Sequence, residues 1–237
     1  LAARPQAWRE AIEVVAMDGF TGFKSATAEE LPDAAAVMDP FHVVRLAGDA
    51  LDQCRRRVQQ ELHGHRGRKD DLAWAHRMLL LRAGDRLSVR AQHRLEHVLR
   101  VDDPTDEIGA AWAVKERLRL LLACTDLDAA DHARGMLGLA VLGADMDETW
   151  RLWETVNAWW DEIETFIVTR VTNARTEAAN TGDGGGSTAV TGEKSRVGQW
   201  VLALGLFLLL LASIPAARKA SRNPPSRAGE RRVVRTS

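Results

Sequence analysis

Two short apolar runs open the chain, Ile12–Met17 and Ala34–Met38, and each ends in an aspartate, Asp18 and Asp39. Continuous, partly β-branched runs of this length predict buried parallel strands. Gly19 and Gly22 mark a loop after the first run. Thr27 with Glu30 three residues on has capping-box spacing and predicts the start of a short helix that stops near Pro32. Strand, helix and strand make a βαβ unit, and sites in such sheets lie at the carboxyl ends of the strands.

From Phe41 the period turns helical. Phe41, Val44, Ala47, Leu51, Cys54, Val58 and Leu62 fall on one stripe, with Arg45 and Asp49, and Asp52 and Arg56, paired four apart on the other side. A basic loop, His63–Lys69, follows. Further helices are expected at roughly 70–83, 86–100, 106–124 and 127–142, with a break at Asp102-Asp103-Pro104. Trp150, Trp153, Val156, Trp160, Ile163, Ile167 and Val171 then predict one long amphipathic helix over 147–180, its Trp stripe turned to the core.

Charge divides the chain further. The whole carries a formal net charge of −1, but residues 1–180 sum to −7 and 181–237 to +6. Within the first part, 1–41 is −4, 42–100 is +6 and holds six of the seven histidines, and 101–180 is −9. The 42–100 block could track phosphates or could be solvated helix faces. Two cysteines, Cys54 and Cys124, build neither a disulfide framework nor a cysteine zinc site, and fit a reducing, cytoplasmic setting. His63-x-His65 lacks a matching second ligand pair. After Asn180 a Gly-rich linker begins. Val197–Ala217 is free of charged residues and about 31 Å long as a helix, enough for a membrane anchor, and the Arg/Pro-rich end reads as disordered.

Asp18, Asp39 and Glu177 are acids from distant parts of the chain. If they converge at strand ends they offer the hard oxygen ligands that Mg²⁺ takes; helix caps and surface carboxylates are the competing reading. Asp39-Pro40-Phe41-His42 could be part of a metal site, a supporting pair beside one, or simply a helix cap. No P-loop, dinucleotide fingerprint, nucleophile elbow or H-E-x-x-H is present.

Val14-Val15-Ala16-Met17-Asp18-Gly19-Phe20-Thr21-Gly22-Phe23, Val37-Met38-Asp39-Pro40-Phe41-His42-Val43-Val44-Arg45-Leu46-Ala47 and Thr172-Asn173-Ala174-Arg175-Thr176-Glu177-Ala178-Ala179-Asn180 together resemble the DDE transposases of bacterial insertion sequences, ISL3 group. The resemblance covers about 1–180. It implies an α/β, partial RNase H-like fold with a large all-helical insertion, helical overall. The division implied is a core over 1–62, the insertion over 63–146, a helix carrying the catalytic Glu over 147–180 and an unrelated 181–237. It implies Mg²⁺-dependent cutting and joining of DNA at element ends. Asp18 matches the family's second catalytic Asp and Glu177 its catalytic Glu, both metal ligands. Asp39 and His42 match the supporting C/D-x-x-H pair, and an alternative alignment makes Asp18 and Asp39 the first and second Asp. Arg45, Arg55, Arg56, Arg57, Arg66, Arg68 and Lys69 become candidates for the DNA backbone.

The family's end-recognition region and first catalytic Asp are missing from the match, so the isolated chain is expected to be inactive. The switch of composition after about residue 181 reads as a frameshift. Two other readings stand beside this one. One is a small helical protein anchored through 197–217. The other is a DNA-binding remnant that interferes with intact transposase subunits.

Overall fold

A computed structural model describes residues 2–172; the second of its two units, Ala189–Ser237, lies wholly outside them. The described elements are α1 (Gln6–Glu10), β1 (Val14–Met17), α2 (Thr21–Glu30), β2 (Ala35–Met38), α3 (Pro40–His63), α4 (Leu72–Ala75), α5 (Arg77–Leu81), a 3₁₀ turn at Gly84–Arg86, α6 (Val89–Asp102), α7 (Glu107–Ala123), α8 (Leu127–Ala144), α9 (Asp147–Ala158) and α10 (Trp160–Thr169). The described residues are thus predominantly helical, as expected. Its two described strands pair in parallel, Val14 opposite Ala35 through Met17 opposite Met38, and α2 makes the crossover.

The helix between the strands starts earlier than its capping-box spacing suggests. It runs from Thr21, and Thr27 lies inside it, buried, with its hydroxyl 3.7 Å from Met17 Sδ. Gly22 does not break the first turn; its lack of a side chain makes room for the Phe20 ring, which a Cβ there would strike. α3 forms where the apolar stripe predicts. Asp39 caps it, its Oδ1 accepting from Phe41 N at 3.1 Å, Pro40 occupies the first turn, and Gly64 ends it at φ +73°. Of that stripe Ala47, Leu51, Cys54 and Val58 are buried, Val44 is half-buried while its neighbour Val43 is buried in its place, and Phe41 and Leu62, at the two ends, are exposed.

One core joins the strands to the helices. Met17, Val37 and Met38 pack with Ala47 and Ala50 of α3, Leu118 and Leu121 of α7, Leu137 and Val141 of α8, and Ile163 and Ile167 of α10. Burying each Leu or Ile of this set contributes about 2 kcal/mol. α10 lies against β2, and α7 lies between α3 and α8. The break at residues 102–104 is built from its own carboxylates: Asp102 Oδ2 accepts from Ala73 N at 2.8 Å, where α4 begins, and Asp103 Oδ2 accepts from Gly109 N at 2.8 Å in the first turn of α7.

The single long helix expected over 147–180 is two helices. The first ends at Trp159 (φ −113°, ψ 22°), and the second ends at Arg170, left-handed at φ 56°. Two consecutive buried indoles, Trp159 and Trp160, sit at the bend. Lys24 Nζ donates to Ala158 O at 3.2 Å there, ion-pairs with Glu162 at 2.7 Å, and lies 5.2 Å from the Trp159 ring centre. An inserted side chain that takes a helical carbonyl is a recognised cause of such a kink. The expected 70–83 helix is likewise split, at His76.

Candidate active site at the strand ends

Because Met17 and Met38 are register partners, the next residues, Asp18 and Asp39, leave the sheet side by side at its carboxyl edge. Asp39 N donates to Met17 O at 2.8 Å, extending the ladder by one rung. Asp18 is exposed, whereas Asp39 is buried in its capping role. Gly19 turns the chain sharply at φ +81°, and a Cβ there would meet Met38 Cε at 3.0 Å and the His42 ring at 3.1 Å. The imidazole of His42 therefore rests on the residue that follows Asp18. Two sequence-distant motifs, Asp-Gly and Asp-x-x-His, fold into one corner.

Phe20, Phe23 and Phe41, all exposed, flank this corner in sequence, and Phe20 and Phe23 meet edge to face at 5.3 Å between centres. Glu177 lies outside the described residues, as does the apolar 197–217 segment. Among the described residues no three His, Cys, Asp or Glu side chains gather closely enough to hold a metal ion, and no helix is long and apolar enough to cross a membrane. A Mg²⁺ site does not require a complete protein cage. One or two carboxylates with waters and substrate phosphates suffice, and the exposed oxygens of Asp18 fit that donor set.

A family model for transposases of the ISL3 group of DDE transposases matches residues 1–182. The chain belongs to that family. No curated protein and no solved structure matches it. The match to this transposase family takes in both strand-end aspartates, every described helix and the Glu177 motif, and stops where the Gly-rich run begins.

The transposase's basic block is not uniform. Arg55 is 2% exposed, held by Asp52 at 2.6 Å, by Gln59 and by Arg66 O at 3.3 Å. Arg57 spans Glu148 at 2.9 Å, Glu107 at 3.2 Å and Glu61 at 3.4 Å. Burial pushes the Glu148 carboxyl up, but the hydrogen bond and charge of Arg57 hold it, on balance, below the usual range. Arg56 pairs with Asp52 at 2.8 Å while remaining exposed, and Arg45 lies 3.9 Å from Asp49. Arg66, Arg68 and Lys69 are exposed on the loop after α3. Cys54 is buried with its Sγ 3.7 Å from Met146 Sδ, and burial pushes its thiol well above the ordinary range.

Three polar groupings carry no sequence motif. Lys24 at the helix bend is one. The second is the buried Lys115–Glu116 pair at 2.6 Å, in which Lys115 also donates to Arg82 O at 2.6 Å and Glu116 accepts from Gly84 N at 3.1 Å. The third is the Arg57 fan. Lone charges on otherwise apolar helix faces, such as Lys115, are the signal that could have flagged them.

Proposed function

We propose that this transposase chain belongs to an RNase H-like catalytic domain that cuts and joins DNA at insertion-sequence ends. The observation that supports this reading most is the register that sets Asp18 and Asp39 beside each other, with His42 packed over Gly19. Asp18 and Glu177 would hold Mg²⁺, which supplies the positive charge that activates an attacking hydroxyl and stabilises the leaving oxygen. Water or a DNA 3′-hydroxyl attacks the phosphorus in line, its proton passes to solvent, and the bridging P–O bond breaks.

Asp39 acts from behind. With Oδ1 spent on Phe41 N it pins the start of α3, and the first turn of α3 brings His42 against the Asp18 loop. That division of labour favours Asp39 and His42 as positioning residues over Asp39 as a metal ligand. Of the backbone-contact candidates, Arg55 and Arg57 serve the fold, which leaves Arg45, Arg56, Arg66, Arg68 and Lys69 to face DNA.

The metal site can be read without turnover. Fe²⁺ in place of Mg²⁺, with ascorbate and peroxide, cuts a polypeptide next to its ligands. Scission of the full chain within a few residues of Asp18 is expected, and its loss in Asp18→Asn. Uncut wild-type protein in that region would overturn the assignment.

A further inference from the structure

On α3 every arginine has a carboxylate within 4.0 Å: Arg45 with Asp49, Arg55 and Arg56 with Asp52, and Arg57 with Glu148. α6 is built the opposite way. Leu95, Val98 and Asp102 are buried, and the other side of the helix shows Arg90, His93, Arg94, His97 and Arg100 to solvent. Among the described residues none of these five has an ion pair, a side-chain hydrogen bond or a ring contact. Glu96 is the one acid on the exposed side of this helix, and it stands within 4.0 Å of none of them. The bend between α4 and α5 adds His76, and a shallow depression is lined by His76, Val89, Arg90, His93, Arg94 and His97.

A helix that leaves its cations unpaired in one stripe carries a positive potential over a long, accessible face. Arg90 and Arg94 stand one turn apart, about 6 Å along the axis, and His93 and His97 repeat that step beside them. Guanidinium forks and ring N–H groups are donors suited to phosphate oxygens. The depression is too open to enclose an uncharged small molecule, and among the described residues its histidines do not gather closely enough to hold a metal ion. A linear polyanion matches both the stripe and its length.

We propose that the exposed face of α6, through Arg90, His93, Arg94, His97 and Arg100, is a second track for the phosphate backbone of duplex DNA, apart from the strand-end corner. It rests on the reading that this chain handles DNA. It adds α6, whose cations are unpaired, to the exposed cations of α3 and the loop after it as a sequence-independent contact. No base is read here, so the contact is insensitive to sequence.

The test is fluorescence anisotropy of the full chain with a labelled duplex of arbitrary sequence, over a series of salt concentrations. Removing one phosphate-binding cation lowers the slope of log K against log salt by about 0.9. Arg90→Ala with Arg94→Ala should lower that slope by nearly two and weaken binding at low salt about tenfold or more. Both sites are exposed and lie within the helix, where Ala is a good helix former, so the fold is kept; far-ultraviolet circular dichroism verifies this. Arg151→Ala, an exposed arginine on α9, should leave the slope unchanged. Wild-type binding with an unaltered slope in the double variant overturns the α6 track and leaves the strand-end reading intact. No binding at low salt overturns the track together with the DNA reading. Unchanged DNA binding with altered self-association in the double variant overturns it in favour of a protein contact.

Discussion

Lys24 joins the corner that carries Asp18 to the helix that precedes the Glu177 motif, and replacing it tests how much that joint matters. Its ammonium pairs with Glu162 at 2.7 Å and with Ala158 O at 3.2 Å. The Glu162 side chain is 7% exposed and that of Lys24 39%. Losing one partner of a fully buried pair costs about 3–5 kcal/mol, because the other charge is stranded. The partial exposure of Lys24 discounts this toward the surface-pair range, and the freed Ala158 carbonyl adds about 1 kcal/mol. Lys24→Met keeps the aliphatic stem over Trp159 and should destabilise the chain by about 2 kcal/mol. The assay is urea denaturation followed by circular dichroism, run as a double-mutant cycle with Glu162→Gln. If the pair is what matters, Glu162→Gln in the Lys24→Met background should cost much less than it does alone. A cost below about 0.5 kcal/mol for Lys24→Met, or additive single effects, would refute the view that this contact sets the bend.

Gly19→Ala should destabilise by about 1–2 kcal/mol, since the residue is left-handed at φ +81° and its Cβ would press on Met38 and His42; thermal melts read this, and a neutral substitution would show that His42 does not rest there. Asp103 supplies the pH dependence. Burial raises its carboxyl from 3.8 to about 6, against the pull of the backbone N–H groups of Gly109 and Ile108. A raised acid binds more protons folded than unfolded, so its contribution to stability is greatest below about pH 4. That contribution falls as the pH rises toward 6, by on the order of 3 kcal/mol, and is flat above. The difference in unfolding free energy between wild type and Asp103→Asn, measured from pH 4 to pH 7, should follow that curve; a constant difference would refute it.

The strands, α3 and the helical middle were legible because periodicity and punctuation agree there. Ile12–Met17 and Ala34–Met38 are short apolar runs between turn residues, and Asp39-Pro40 is both a stop and a cap. The bend at Trp159 was not legible. The stripe from Trp150 to Val171 continues through it, and what interrupts the helix is a lysine more than a hundred residues earlier, a tertiary contact with no local trace. Thr27 misled for a related reason: a capping-box pair also occurs by chance inside a helix, and burial against Met17 outweighed it. Charge was the least legible feature. A sum of +6 over 42–100 weighs α3 and α6 alike, yet the acids that neutralise Arg57, Glu107 and Glu148, come from the segment that sums to −9.

That cross-pairing bears on how the candidate site could be completed. Six carboxylates of the acidic stretch are spent inside the fold: Asp102 and Asp103 cap helices, Glu107 and Glu148 hold Arg57, Glu116 holds Lys115 and Glu162 holds Lys24. Those six are committed to the fold, and among the described residues no three His, Cys, Asp or Glu side chains gather to hold a metal, which raises the weight on Glu177. Arg170 fixes the point from which that residue departs, through its left-handed backbone and its Nη1 donating to Leu122 O at 3.0 Å. Glu177 follows Arg170 by seven residues, a reach of at most about 25 Å. α10 itself lies on β2, the strand that ends at Asp39. The proposed shared site for Asp18 and Glu177 therefore rests on the pairing of strand register with that anchored helix, rather than on any single acidic motif.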